Sequence, residues 1–313
     1  MLWVGLFKAT VFLVIFMLGL RLMSGAIARS AGPGLSRLLE RLAGSPWRGF
    51  GTGFLVTALL QSSSMTTVMV VGLVNAGVMT FAQGCSVIIG ANVGTTITGQ
   101  LLSFNLHWLG WALLILGLLC RLLPHRRLRR AAAALGGCAL LFIGMGGMTA
   151  ALASLKELAL LRSMVQAAGD LPWKGLLAGV IGAAVLQSSS AVIAFALGLA
   201  HEGLITLPAA LALAIGADLG TCSTALIAAA GMEKTARRAA WFHFFFNLTS
   251  MALALIFYPQ LLAIAAKSAA ALPRQLANAH FFYNLLGAAV LLPLVEPLSA
   301  LVKGWTFPGS VPR

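Results

Sequence analysis

Charge is what this chain has least of. Only 9% of its 313 residues are Asp, Glu, Lys or Arg, where soluble globular domains carry about 25%. From Gly49 through Cys120 there is no such residue, and from Gly175 through Met232 there is no Lys or Arg. That excludes a soluble fold. The charge-poor segments 3–27, 50–74, 78–103, 105–123, 131–155, 175–200, 204–231, 239–265 and 279–303 are suited to spanning or entering a bilayer, since a crossing helix needs about 20 apolar residues. They allow eight or nine membrane-inserted elements, not all of which need cross.

Acidic residues are scarcer still, 7 against 21 Lys plus Arg, a net charge of +14. In a soluble protein this balance points to nucleic acid. Here the basic residues cluster at Arg121, Arg126, Arg127, Arg129 and Arg130 and at Lys234, Arg237 and Arg238, with no interleaved aromatics. They read as cytoplasmic loops, although Arg29, Arg37, Arg41 and Arg48 make a competing claim. Nucleic acid is excluded as a partner, the lipid bilayer is the expected one, and the sequence leaves room for homo-oligomers. The four cysteines, Cys85, Cys120, Cys138 and Cys222, show no CxxC spacing, so neither a disulfide frame nor a metal centre is expected. Lys8, an apolar run and Ala26-Ile27-Ala28 give the N-terminus the pattern of a signal peptide. Yet Gly19, Met23 and Ser24 recur as Gly144, Met148 and Thr149, so the segment reads as a retained helix.

What the chain does contain is a repeat. The tetrad Gln61-Ser62-Ser63-Ser64 returns as Gln187-Ser188-Ser189-Ser190, 126 residues later. The same offset carries Gly90, Asn92, Gly94, Thr95 and Thr98 onto Gly216, Asp218, Gly220, Thr221 and Thr224. Between 46–64 and 172–190 there are 10 identities in 19 positions, more than shared hydrophobicity produces. The expected organisation is a first transmembrane repeat over 1–120, a basic linker at 121–130, a second repeat over 131–235 and C-terminal transmembrane helices over 236–313. A smaller echo lies in that last part, where His243, Phe244, Phe245 and Asn247 recur as His280, Phe281, Phe282 and Asn284. Each His and Asn fall four residues apart on one helical face, a pattern suited to an interhelical hydrogen-bond clamp.

The fold class is an all-α polytopic membrane protein, because lipid offers backbone polar groups no partner. Its two homologous repeats are inverted if each crosses the membrane an odd number of times. Broken or re-entrant helices are expected where small and hydroxyl residues crowd, at the two tetrads and at the segments 90–98 and 216–224. With no Lys or Arg near these motifs, whatever binds there is held by neutral dipoles. Half-helix N-termini attract anions, and freed carbonyls and hydroxyls suit a hard cation such as Na⁺. An anion's charge would then be balanced by ions that enter with it, which is the electrostatic logic of symport. An intramembrane serine hydrolase using His243 or His280 is the competing enzyme reading. No G-x-S-x-G accompanies either tetrad, and a non-enzyme is expected. A Na⁺- or H⁺-coupled symporter of a carboxylate or amino-acid anion is the alternative within transporters, but such anions are usually met by an Arg and none stands in the motif segments.

The paired QSSS tetrads, the GANVGTT segment after the first and the later His-Phe-x-x-Asn helix resemble the type II sodium-dependent phosphate cotransporters, including bacterial members, over about 10–300 of this chain. The resemblance implies alternating-access transport of inorganic phosphate with Na⁺ as coupling ion and no other cofactor or metal. It implies repeats of opposite membrane orientation whose tetrads converge on substrate. Gln61, Ser62, Ser63, Ser64, Gln187, Ser188, Ser189 and Ser190 would line the site, with Thr66 and Thr67 as ligands of Na⁺ or phosphate. Asn92, Thr95, Asp218 and Thr221 complete the candidate set. The halves differ, with Ala191 and Val192 standing where Met65 and Thr66 stand in the first, and Asp218 where Asn92 stands. A membrane-embedded carboxylate is costly unless it has a task, so Asp218 is expected to bind a coupling cation or a proton. The soluble C-terminal domain of many bacterial relatives, which resembles the phosphate-regulatory PhoU proteins, is not expected.

Overall fold

The structure, a computed structural model, describes residues 2–104, 106–155 and 172–302, which form helices and turns with no strand among them. The first half contains α1 (Leu2–Ala31), α2 (Pro33–Leu42), α3 (Pro46–Leu60), α4 (Ser63–Asn75), α5 (Phe81–Leu102) and α6 (His107–Leu122). Then come α7 (Arg126–Ala153), α8 (Pro172–Leu186), α9 (Ser189–His201), α10 (Leu207–Ala229), α11 (Lys234–Ile256), α12 (Tyr258–Ser268), α13 (Leu272–Leu291) and α14 (Val295–Val302). The 126-residue offset maps the starts of α3, α4 and α5 onto those of α8, α9 and α10. Of the basic linker expected at 121–130, only 123–125 lies outside helix. Among the described residues α1, α5, α7, α10 and α11 are long and apolar enough to cross a bilayer, and α13 with α14 meets the same measure only as a pair bent by 58°, the shape of a broken span or a re-entrant loop. The helices α4, α6, α8 and α9 are apolar but shorter. This is a multi-pass membrane protein.

Elementary rules place the ends. Pro46 opens α3 and Pro172 opens α8, at positions where a missing N–H costs nothing. Thr80 caps α5 in a capping box with Gln83, and Thr206 caps α10 through the Ala209 N–H.

The two glycine-and-threonine segments do not break. Both α5 and α10 run unbroken through 90–98 and 216–224, against the expectation of broken helices there, and the reason is packing. A Cβ on Gly90 would strike the Phe50 carbonyl, and one on Gly94 would meet Phe54 O at 2.5 Å. In the second half Gly216 and Gly220 stand in the same way against Leu176 and Val180. The glycines of α3 and α8 answer them, Gly53 against the Val87 carbonyl and Gly179 against that of Leu213. They are contact points that let paired helices touch backbone to backbone, as small-xxx-small motifs do.

Across the repeats, α1 packs along α7. Gly19 meets Leu141 N and Gly137 O, and Gly144 meets Phe16 N, so the opening helices of the two units lie in contact. One apolar core joins α1 and α7 with residues of α9, α10 and α13, such as Phe16, Met148, Leu197 and Tyr283. A second joins α3, α4 and α5 with α11, through Leu60, Val70, Ile88 and Phe246. The C-terminal helices are thus shared out, α11 chiefly to the second of these cores and α13 to both, with Leu276, Ala279 and Tyr283 in the first and Ala288 in the second.

Candidate functional site

Each tetrad is a helix stop followed by a helix start. Gln61 ends α3 in the left-handed region, with φ 56° and ψ 28° and its N–H on the Thr57 carbonyl at 2.7 Å. Gln187 does the same after α8 with φ 53°, and these are the non-glycine residues of positive φ among the described ones. That conformation costs an L-residue about 1–2 kcal/mol, so two glutamines held in it mark a place where the side chain is worth the strain. The next serine starts the new helix. The Ser62 hydroxyl accepts the Met65 N–H at 3.2 Å, and Ser188 accepts that of Ala191 at 3.2 Å. The N–H groups at the start of α4 and α9 are left without intrahelical acceptors, with the positive ends of both helix dipoles beside them.

The first stop is stitched across. The Thr57 hydroxyl donates to Thr66 Oγ1 at 2.9 Å, a contact that nine residues of straight helix, rising about 13 Å, would forbid. The chain therefore turns sharply at Gln61-Ser62. From α1, the Ser24 hydroxyl donates to the Leu60 carbonyl, satisfying an acceptor that the interruption of the helix frees. Its repeat counterpart Thr149 donates instead within its own helix, to Met145 O at 3.0 Å.

Both tetrads, all eight residues, line one cavity of about 200 Å³. Met17, Leu20, Arg21, Ser24, Met65 and Leu186 complete its wall. A water takes about 30 Å³ of liquid volume, so the space suits a small hydrated oxyanion. Arg21 corrects the expectation that only neutral dipoles stand there. The motif segments do lack cations, but α1 brings one from forty residues upstream. The signal in the sequence is that Arg21 is the sole charged residue between Lys8 and Arg29, and an ionisable residue within an apolar span is rarely idle.

The remaining candidates stand outside the lining of that cavity. Thr66, Thr67, Asn92, Thr95, Asp218 and Thr221 are all buried. Asn92 and Asp218 occupy equivalent points on α5 and α10, and each is held by a His-x-x-x-Asn pair. Asn92 Oδ1 takes the Asn247 amide at 3.2 Å and lies 3.4 Å from His243 Nε2, and its own amide donates to Ile88 O at 2.9 Å. Asp218 Oδ2 takes three partners, Tyr283 Oη at 2.6 Å, Asn284 Nδ2 at 2.9 Å and His280 Nε2 at 3.1 Å. The position equivalent to Tyr283 on α11 is Phe246, so the extra hydroxyl appears where the acceptor is a carboxylate. The clamp expected of these pairs is there, and it ties α11 to α5 and α13 to α10. Neither histidine is hydrogen-bonded to a tetrad serine, so the Ser–His pair of a hydrolase is missing among the described residues. Thr67 and Thr95 keep buried hydroxyls without partners, whereas the Thr221 hydroxyl is bonded to Ala217 O at 2.9 Å.

The family described as Na+/Pi-cotransporter matches the chain twice, over residues 15–150 and 147–291. The chain belongs to the Na⁺/Pi-cotransporter family. Both matches contain a tetrad and its helix break, and the second extends through the His280 clamp. A relative in Bacillus subtilis, the uncharacterized protein YqeW, is 30% identical over 252 residues, 80% of this chain and 82% of its own length. YjbB of Escherichia coli, whose name proposes inorganic phosphate export, is 28% identical over 294 residues, 91% of this chain but 53% of its own. The chain thus spans about half the length of that relative. The sodium-dependent phosphate transport protein 2A of Ovis aries is 31% identical over 94 residues, 29% of this chain and 15% of the relative. No solved structure matches the chain significantly.

Proposed function

We propose that this member of the Na⁺/Pi-cotransporter family moves inorganic phosphate across the membrane by Na⁺-coupled alternating access, with the tetrad cavity as its substrate site. The observation that carries the reading is the convergence of Gln61 to Ser64 and Gln187 to Ser190 on one cavity. Six hydroxyls, two carboxamides and two helix N-termini offer a tetrahedral oxyanion donors from two sides. The family match and the names of the phosphate relatives support the substrate. Pseudo-symmetric halves that meet at a site are the common plan of alternating-access carriers. The exposed Trp47 and Trp173, equivalent residues at the starts of α3 and α8, suit anchors of the two halves at membrane interfaces. Thr66, Thr67, Asn92, Thr95, Asp218 and Thr221 serve in this reading as cation ligands or as supports behind the site.

The test is radiolabelled phosphate flux in proteoliposomes under a Na⁺ gradient, against K⁺ and pH gradients. Flux that follows Na⁺ and is lost in Gln61→Ala and Gln187→Ala is the expected result. Flux that ignores Na⁺ sinks the coupling. The presence of Arg21 in the cavity favours one other cargo, a carboxylate anion, since such anions are usually met by an arginine. Arsenate that competes where dicarboxylates do not rules that cargo out.

A further inference from the structure

We propose that Arg21 is the fixed counter-charge of the anion site, a specificity-determining residue whose guanidinium pairs with the bound oxyanion from the α1 side of the cavity. The proposal rests on the reading of that cavity as an anion-transport site and deepens it.

Four observations carry it. Arg21 lines the same cavity as all eight tetrad residues. It shares one face of α1 with Met17, Leu20 and Ser24, and Ser24 is tied to the Leu60 carbonyl at the first helix stop, which fixes that face against the site. No acidic residue forms an ion pair with Arg21 among the described residues, and its guanidinium makes no hydrogen bond there, so its charge is uncommitted. Finally the charge is one-sided. In the register that pairs Gly19 with Gly144, the counterpart of Arg21 is Gly146, where an added Cβ would lie 2.8 Å from His107 Nδ1.

The chemistry follows from what the tetrads lack. They present neutral hydroxyls, amides and backbone N–H groups, which orient an oxyanion without neutralising it. A guanidinium presents parallel N–H donors matched to two oxygens of one tetrahedral or planar anion and keeps its charge at any physiological pH. One unit of anion charge is then met before any coupling ion arrives. A divalent phosphate loaded here needs one fewer co-transported cation to make a neutral complex than it would in a site built of dipoles alone. The empty carrier, for its part, crosses its conformational cycle with a resident positive charge.

Equilibrium binding of radiolabelled inorganic phosphate to the purified full chain, with and without Na⁺, compares wild type with Arg21→Gln and Arg21→Lys. Phosphate binding is expected to weaken about 10- to 100-fold in Arg21→Gln, the loss being greatest without Na⁺, and to recover to within about tenfold of wild type in Arg21→Lys. In proteoliposomes the charge moved per phosphate should shift in Arg21→Gln and not in Arg21→Lys, a readout that a packing role would leave alone. Wild-type affinity, Na⁺ dependence and charge per phosphate in Arg21→Gln together overturn the proposal. A measurement without substitution guards against misfolding, namely labelling of Arg21 by a dicarbonyl reagent, read by peptide mass spectrometry. Phosphate should slow it. If wild type binds no phosphate at all, the phosphate reading fails separately, and protection by succinate then reads Arg21 on its own. Labelling unchanged by either anion overturns the counter-charge.

Discussion

The two helix stops share their sequence and their backbone, yet they are held together differently. In the first, Thr57 and Thr66 join α3 to α4 by a hydrogen bond of 2.9 Å. In the second, the equivalent residues are Ala183 and Val192, which pack with Ala217 in a small apolar cluster. Behind the stops both repeats are fastened by polar groups, but with different chemistry. The first half has the neutral Asn92 held by His243 and Asn247, where the second has Asp218 held by His280, Asn284 and the added Tyr283. Polar fastening thus sits behind the break in both repeats and at the turn itself in the first. A duplicated unit need keep only the geometry of the break, while the means of holding it is free to diverge.

Removing the anchors behind the stops should separate the halves most. Asp218→Ala strands His280, Tyr283 and Asn284 in a buried site and should destabilise by about 3–5 kcal/mol, while Asn92→Ala should cost about 1–3 kcal/mol. Thermal unfolding of the purified variants reads the difference, and equal losses would mean that the carboxylate is not a stronger anchor than the amide. The close helix crossings should, by contrast, prove symmetric. Gly90→Ala and Gly216→Ala each push a methyl group into a backbone carbonyl and should each cost about 1–3 kcal/mol. A tolerant second half would show that the packing of α8 on α10 is looser than that of α3 on α5.

At the turns, Gln61→Gly and Gln187→Gly relieve a left-handed backbone and should raise stability by about 1 kcal/mol while phosphate flux drops at least tenfold. Full flux in either variant would show that its carboxamide is not a ligand. The smallest effect concerns the stitch. Thr66→Val alone should cost about 1 kcal/mol by orphaning Thr57, whereas the pair Thr57→Ala with Thr66→Val, which copies the second repeat, should return close to wild type. A double variant worse than the sum of the singles would break the equivalence of the two fastenings.

Much of this was legible in the sequence because it is local or repeated. The tetrads announce a stop, since a capping serine after an apolar run ends one helix and begins another, and ten identities in 19 positions make the duplication plain. The His-x-x-x-Asn spacing discloses a clamp but not its partners, because Asn92 lies 151 residues before His243 and Asp218 lies 62 before His280. The glycine segments misled for a similar reason. Glycine weakens an isolated helix, and only the facing carbonyls of Phe50 and Leu176 reveal that here it serves contact. Arg21 was in plain view, yet its place at the cavity depends on how α1 lies against the rest of the fold.

That placement of α1 bears on how the protein is made. The face carrying Phe16, Gly19 and Met23 is completed by Gly137, Leu141 and Gly144, which leave the ribosome more than a hundred residues later. At 5–20 residues per second this is a delay on the order of ten seconds. Throughout it the opening helix sits in the bilayer with its most closely fitted surface bare, so the nascent chain must keep that surface from other partners until its own second half arrives.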